Sequence, residues 1–294
     1  MADNKAATSS GVLLIVSGAS RGLGRAIALA FCRHFAAEVP PPPPTSSSVL
    51  RIVLLARSLP ALQDTKALLV QEMQKHSKSW ITSVSVHAVD LGELSSLDSS
   101  LDEVLDQTSV MMTDMNFDRL IFINNAGSLG QLGPCIAPRQ ELSELQKTVD
   151  LNVTSSFWAS VKFARFVKKH TQARKATALI VNISSLTAIQ PFPSMGLYSA
   201  GKAARDMYHA CLAKELEGDQ SSTTTVFKIL NYAPGPLETD MTEEIRAAPE
   251  LDPSLKPHYQ KQLVDPNDSA RVLVQVVAKN TFTSGSHVDY YDCC

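Results

Sequence analysis

Six short apolar runs rich in β-branched residues recur along the chain, separated by longer segments with helical spacing, and this alternation excludes most architectures. The runs are VLLIV (12–16), VLRIVLLA (49–56), SVSVHAV (83–89), LIFIN (120–124), ALIVNI (178–183) and VFKILNYA (226–233). Continuous apolar runs of this length suit strands buried on both faces, whereas half-solvated strands alternate polar and apolar residues. Between them, LGRAIALAFCRHF follows the first run and the stretch 141–170 follows the fourth. Both carry apolar residues three and four positions apart, as a helix with one buried face does. Strand–helix–strand units close onto one sheet through right-handed crossovers. The expected fold is therefore α/β, a doubly wound parallel sheet of Rossmann type, with about seven strands and helices on both faces.

A chain of 294 residues can bury about three quarters of its unfolded surface in one core, and no change of composition marks a linker. One domain over 1–294 is expected, with a proline-rich loop insertion at 39–48 around the five prolines at 40–44. Prolines in series neither continue a helix nor join a sheet. The stretch 234–260, PGPLETDMTEEIRAAPELDPSLKPHYQ, reads as a mobile flap. The net charge of −2, with scattered basic residues, argues against a nucleic-acid partner. No run is long enough to span a membrane, and MADNKAATSS has no apolar stretch behind a basic start, so a cytoplasmic protein without a membrane partner is expected. Cys32, Cys135, Cys211, Cys293 and Cys294 show no metal-ligand spacing and read as reduced thiols, with no metal site.

The chemistry-bearing residues cluster at the ends of the runs. After the first comes GASRGLG, with Gly18, Gly22 and Gly24 at the mouth of a helix. Glycine lets the backbone turn tightly and approach a ligand, and free helix N–H groups suit a pyrophosphate. The candidate cofactor loop is Gly18, Ala19, Ser20, Arg21, Gly22, Leu23 and Gly24; a plain glycine-rich turn is the alternative. The second run ends in Arg57 and Ser58, where an acidic residue would grip a ribose 2′-hydroxyl and arginine a 2′-phosphate. With Arg57 there, Arg21 in the loop and no aspartate beside them in sequence, NADP(H) is favoured over NAD(H). Asp90 and Leu91 follow the third run, and Asn125, Ala126 and Gly127 the fourth. All stand where open α/β sheets bind ligands.

Tyr198 and Lys202 lie four apart on a predicted helix, on one face, so the ammonium can stand beside the phenol. A tyrosine covering a lysine stem is the ordinary alternative. A free phenol has a pKa near ~10, so acid–base work at neutral pH calls for a cation that lowers it. Ser185 ends the fifth run, thirteen residues before Tyr198; its neighbour Ser184 is the rival. Together GASRGLG, NNAG, NISSL, YxxxK and the PG after the sixth run resemble the short-chain dehydrogenase/reductase family over essentially the whole chain. Ser17 replaces the threonine usual before the first glycine. The resemblance implies an oxidoreductase in which Tyr198 donates the proton, Ser185 hydrogen-bonds the carbonyl oxygen, Lys202 lowers the phenol pKa and holds the nicotinamide ribose, and Asn152 completes the catalytic set. Tyr198, Lys202 and the segment Leu237, Glu238, Thr239, Asp240, Met241 and Thr242 would also contact the cofactor.

NNAGSLG, VNISSL with QPF, LYSAGKAARDM, LNYAPGPLETDM and SGSHVDYYD further resemble the pterin-reducing branch of that family. The implied substrate is a small-molecule pterin with a side-chain carbonyl, on the pathway to tetrahydrobiopterin. Asp289 would accept the ring amino group and N–H as a bidentate partner, with Asp292 the nearby alternative. Ser185, Leu186, Tyr198 and Gly235 would line the same pocket. The stretches 141–170 and 196–216 carry Phe157, Trp158, Val161, Phe163, Met207 and Cys211, more apolar surface than one sheet contact covers, which predicts a homodimer. A broad carbonyl or diketone reductase, and a cofactor-sensing protein without turnover, are the competing readings.

Overall fold

The computed structural model describes residues 11–38, 48–76, 80–112, 116–136, 141–171, 175–218 and 225–293. The prolines at 40–44 and Cys294 lie outside the described residues. Seven strands form one sheet: β1 (Gly11–Ser17), β2 (Ser48–Ala56), β3 (Trp80–Ala88), β4 (Phe117–Asn124), β5 (Ala176–Ile183), β6 (Thr225–Ala233) and β7 (His287–Asp289). Their order is β3-β2-β1-β4-β5-β6-β7 and every pairing is parallel. The chain runs outward from β1 to β3 and then returns to β4 on the other side of β1. That reversal parts the loops beyond β1 and β4, where a doubly wound sheet opens its ligand crevice.

Each apolar run became a strand because alternate side chains feed two separate cores. On one face, Leu14 and Val16 of β1 pack with α1 (Gly22–Arg33), α2 (Leu59–His76) and α9 (Pro266–Lys279), through residues such as Ile27, Leu62 and Leu273. On the other, Leu13 and Ile15 meet α3 (Leu94–Val110), α5 (Ser155–Thr171) and α6 (Gly196–Gly218), through Leu101, Phe163 and Ala213. Ile180 and Ile229 are wholly buried, and burying one such side chain contributes about 1.5–3 kcal/mol.

Two elements differ from the sequence expectation. The stretch 141–170 is not one helix: α4 (Leu142–Val149) and α5 are joined by a widened π turn at Asp150–Thr154. Asn152 inside that turn is bound through its side chain to the backbone of Ser128, which anchors the irregular turn; such turns recur at functional sites. The segment after β6 is a packed cover rather than a loose strap. It holds α7 (Asp240–Ala247) and α8 (Lys256–Gln260), whose Ile245 and Tyr259 join Leu251, Leu255, Leu129 and Met195 in a third apolar cluster. Tyr198 packs against this cluster.

Candidate active site

The glycine loop is shaped by contact as well as by backbone angle. Gly18 and Gly22 have φ of 66° and 52°, left-handed values that disfavour any side chain. A Cβ at Gly24 would stand 2.2 Å from the Gly18 carbonyl oxygen, and one at Gly18 would stand 2.7 Å from Asn125 Nδ2. The Ser17 hydroxyl stitches the β1 and β4 ends together: it donates to Ile123 O at 3.3 Å and accepts from the Asn125 and Ala126 N–H groups at 2.9 and 3.1 Å. Ala19 and Ser20 are fixed from behind, their carbonyls accepting from Thr65 and Arg25. At the start of α1, Arg21 makes no capping bond from its side chain and the first turn holds no acid. A helix start without a side-chain cap above a cradle this tight fits a pyrophosphate.

Arg57 and Ser58 are exposed just beyond β2, and Arg57 has no ion-pair partner among the described residues. Asp90 is exposed beyond β3, its Oδ1 accepting from Gly92 N at 2.9 Å, while Leu91 beside it is buried. Arg21 behaves differently from the expectation that no aspartate stands beside it. Folding brings Asp240, at the start of α7, onto its guanidinium as an ion pair. Thr239 lies over Gly22 as well, its Cγ2 3.6 Å from where a Cβ would be. The glycine loop and the 237–242 segment therefore touch, and of the two arginines Arg57 alone lacks an ion-pair partner among the described residues. The rest of that segment is held by its own contacts: Leu237 O accepts from Thr242 Oγ1, and the Glu238 carboxylate binds Arg246 at 2.5 and 2.9 Å.

Beyond β5 the structure distinguishes the two serines. Ser184 is 1% exposed and its hydroxyl has no partner among the described residues, whereas Ser185 is partly open and accepts from Thr187 N at 3.3 Å. A hydrogen bond from Ser185 also bears on Tyr198. Lys202 is buried, its Nζ donating to Ile183 O at 2.6 Å and lying 5.5 Å from the centre of the Tyr198 ring. Burial dominates the electrostatics of both groups. Burial pushes the Tyr198 phenol up to about 12, with Tyr259 adding to the rise, while the Ser185 hydrogen bond and the Arg205 charge pull it down. Burial and the adjacent Arg205 hold the Lys202 pKa well below the usual lysine range.

Arg205, which the sequence reading missed, is the cation at the centre of this region. It is fully buried, and it donates to Asn124 O at 2.5 Å, Ala126 O at 2.9 Å and Asn182 Oδ1 at 2.7 Å. Burial pushes it down to about 10, still charged at neutral pH. Satisfying a buried guanidinium this way keeps its desolvation from unfolding the site. The available signal was an arginine one turn after Lys202 among small residues, on the same helix face. Asn152 is pinned side chain to backbone, Oδ1 accepting from Ser128 N at 2.9 Å and Nδ2 donating to Ser128 O at 2.7 Å; it shapes the loop carrying Gly127.

Asp289 ends β7 opposite Ala233 of β6, and Gly235 follows at φ 77° beside Tyr290. Asp289 caps the last helical turn: its Oδ1 accepts from Tyr291 N at 2.9 Å, and Asp292 accepts from Asp289 N at 3.1 Å. Asp292 is thus turned back on the turn, and it lines a separate cavity of about 400 Å³ against α9. Leu186 and Ile189 stand exposed beside Ser185. No cluster of metal-ligating side chains occurs among the described residues.

A crevice at the sheet reversal, a glycine cradle under a helix start and a serine–tyrosine–lysine group beyond β5 define a class of dinucleotide-dependent enzyme. The family model for short chain dehydrogenase matches residues 51–250, and the chain belongs to that family and is an oxidoreductase. It is 34% identical over 283 residues to the sepiapterin reductase of Rattus norvegicus, covering 95% of each chain. The sepiapterin reductase of Meriones unguiculatus is likewise 34% identical over 95% of each. L-sorbose reductase from Gluconobacter frateurii, a structure complexed with NADPH and L-sorbose, shares the fold with a TM-score of 0.69 at 22% identity, over 96% of this chain and 95% of that one.

Proposed function

We propose that this protein reduces the side-chain carbonyl of a pterin, with NADPH as the hydride source. The observation carrying this reading is the convergence of Ser185, Tyr198 and Lys202 beyond β5, with Gly235 beyond the neighbouring β6 and Asp289 at the end of β7. Similarity to sepiapterin reductases along 95% of the chain supports it, and Arg57, without an ion-pair partner among the described residues, supports NADP(H) over NAD(H). A phenol raised to about 12 keeps its proton at neutral pH and gives it up only as negative charge grows on the substrate oxygen. Bound NADPH would supply the hydride for the carbonyl carbon; Tyr198 would give its proton to the carbonyl oxygen, leaving a phenolate that regains a proton before the next turnover. Ser185 donates a hydrogen bond to the same oxygen, and Lys202 holds the nicotinamide ribose. Asn152 supports the group by fixing the Ser128 loop. The α7–α8 cover keeps water from the reacting atoms.

Asp289 anchors the pterin ring through its free carboxylate oxygen, with Leu186 and Gly235 lining the pocket. The protein acts as a single domain and a cytoplasmic homodimer, paired through α5 and α6. Of the apolar residues on those helices, Phe163 is taken by the core and Trp158 is tied to Asp98. Phe157 stacked on Tyr208 and exposed Met207 remain for a partner. The test is reduction of sepiapterin by purified protein, followed as loss of NADPH absorbance beside a small diketone. Turnover with sepiapterin at the higher kcat/KM supports the reading; preference for the diketone makes the protein a general carbonyl reductase, and binding of NADPH without turnover makes it a sensor.

A further inference from the structure

Helix α6 carries more than the proton donor. Asp206, one turn past Lys202, shares its carboxylate between two elements: Oδ1 accepts from Asn182 Nδ2 at 3.0 Å, and Oδ2 accepts from His287 Nδ1 at 2.7 Å. His287 opens β7, a strand of three residues that ends in Asp289 and, among the described residues, pairs only with β6. A strand this short is weakly fixed by its ladder. The His287 side chain is 18% exposed, and its Nε2 is shut from solvent without a partner among the described residues. The bond to Asp206 therefore sets the ring's place. On the far side, Asn182 Oδ1 accepts from Arg205, which also holds the Asn124 and Ala126 carbonyls. One buried chain of hydrogen bonds thus runs from the cofactor loop, under the helix bearing Tyr198, to the strand that presents Asp289.

Resting on the pterin reading above, we infer that Asp206 and His287 are positioning residues that fix the separation between the ring anchor Asp289 and the proton donor Tyr198, and so set the preference for a ring substrate over a small ketone. A pterin held at Asp289 brings its carbonyl to Tyr198 only if the two ends are correctly spaced, and small misplacements are costly. A small diketone needs Ser185 and Tyr198 alone. His287 faces Asp206 from α6, with Asp289 and Asp292 on its own segment. Asp206 in turn faces Lys202, Arg205 and His209 of α6. The Asp206 hydrogen bond raises the His287 pKa against the opposing effect of burial. Below that raised value the tie is an ion pair; as pH climbs through it the imidazole loses its charge and the tie weakens to a neutral hydrogen bond.

The test measures KM for sepiapterin and for 2,3-butanedione, both with NADPH, across about pH 6 to 9, in the wild type, His287→Ala and His287→Asn. The ratio of the two constants cancels effects of Tyr198, which serves both substrates. In the wild type the ratio should rise with pH. His287→Ala should raise it roughly tenfold near neutrality with NADPH affinity unchanged. His287→Asn, whose amide donates from nearly the same place, should restore most of the ratio and remove its pH dependence. Equal changes in both constants for His287→Ala, or a wild-type pH slope retained in His287→Asn, overturns the inference; the second comparison stands even if the alanine variant fails to fold. Absence of sepiapterin reduction by the wild type overturns the pterin reading and this one together, whereas normal reduction with a ratio flat in pH overturns the positioning role alone.

Discussion

The cofactor floor and the substrate end of the crevice are built by opposite means. The floor is multiply tied: Ser17, Asn125 and Arg205 each hold two or more backbone groups of neighbouring segments. The substrate end is a three-residue edge strand, a capping turn and exposed Leu186 and Ile189. On the proposed function, the part every turnover would need is overdetermined, while the part that would select a substrate hangs on a few bonds. Damage to the floor should therefore stop all turnover. Changes at the edge should alter which substrate is taken.

The largest contrast lies between the adjacent serines. Ser185→Ala should lower kcat roughly 100- to 1,000-fold for pterin and diketone alike, while Ser184→Ala, which removes a buried hydroxyl with no partner among the described residues, should change it by a few-fold at most; steady-state rates in the reverse order would undo the assignment. On the floor itself, Gly24→Val would drive a side chain into the Gly18 carbonyl, and NADPH titration by fluorescence should show binding weakened about 100-fold. At the edge, Asp289→Asn should raise the sepiapterin KM roughly 30-fold and leave the diketone KM alone. A shared loss would mean that floor and edge are not separable. The smallest effect is expected at the exposed Arg57: Arg57→Asp should weaken NADPH about tenfold and turn preference toward NADH, read from paired Michaelis constants.

Much of the floor was legible in the sequence because its demands are local. Glycines at a strand end and β-branched runs report close approach and burial within a few residues of themselves. All six runs became strands, whereas β7 is too short to show a period. Contacts between distant residues left no such mark. Arg21 and Asp240 are 219 positions apart, and only the fold shows that the arginine assigned to the phosphate already has a partner. The π turn at Asp150–Thr154 is invisible to a 3.6-residue pattern, since it shifts the phase by a single residue. The Tyr198–Lys202 spacing placed the two side chains near each other, but burial of both was not legible in it. Spacing says nothing of desolvation, which here raises the phenol to about 12, nor of Arg205, a buried cation that pulls against that rise.

The central claim is that the Tyr198 hydroxyl delivers the proton to the reduced carbonyl, and the most direct measurement is turnover of Tyr198→Phe beside its NADPH affinity. With a wild-type phenol held near 12, reduction should run level through neutral pH and decline only in alkali. The phenylalanine protein should bind NADPH as tightly while reducing sepiapterin about 1,000-fold more slowly. Near-normal turnover without that hydroxyl would contradict the account.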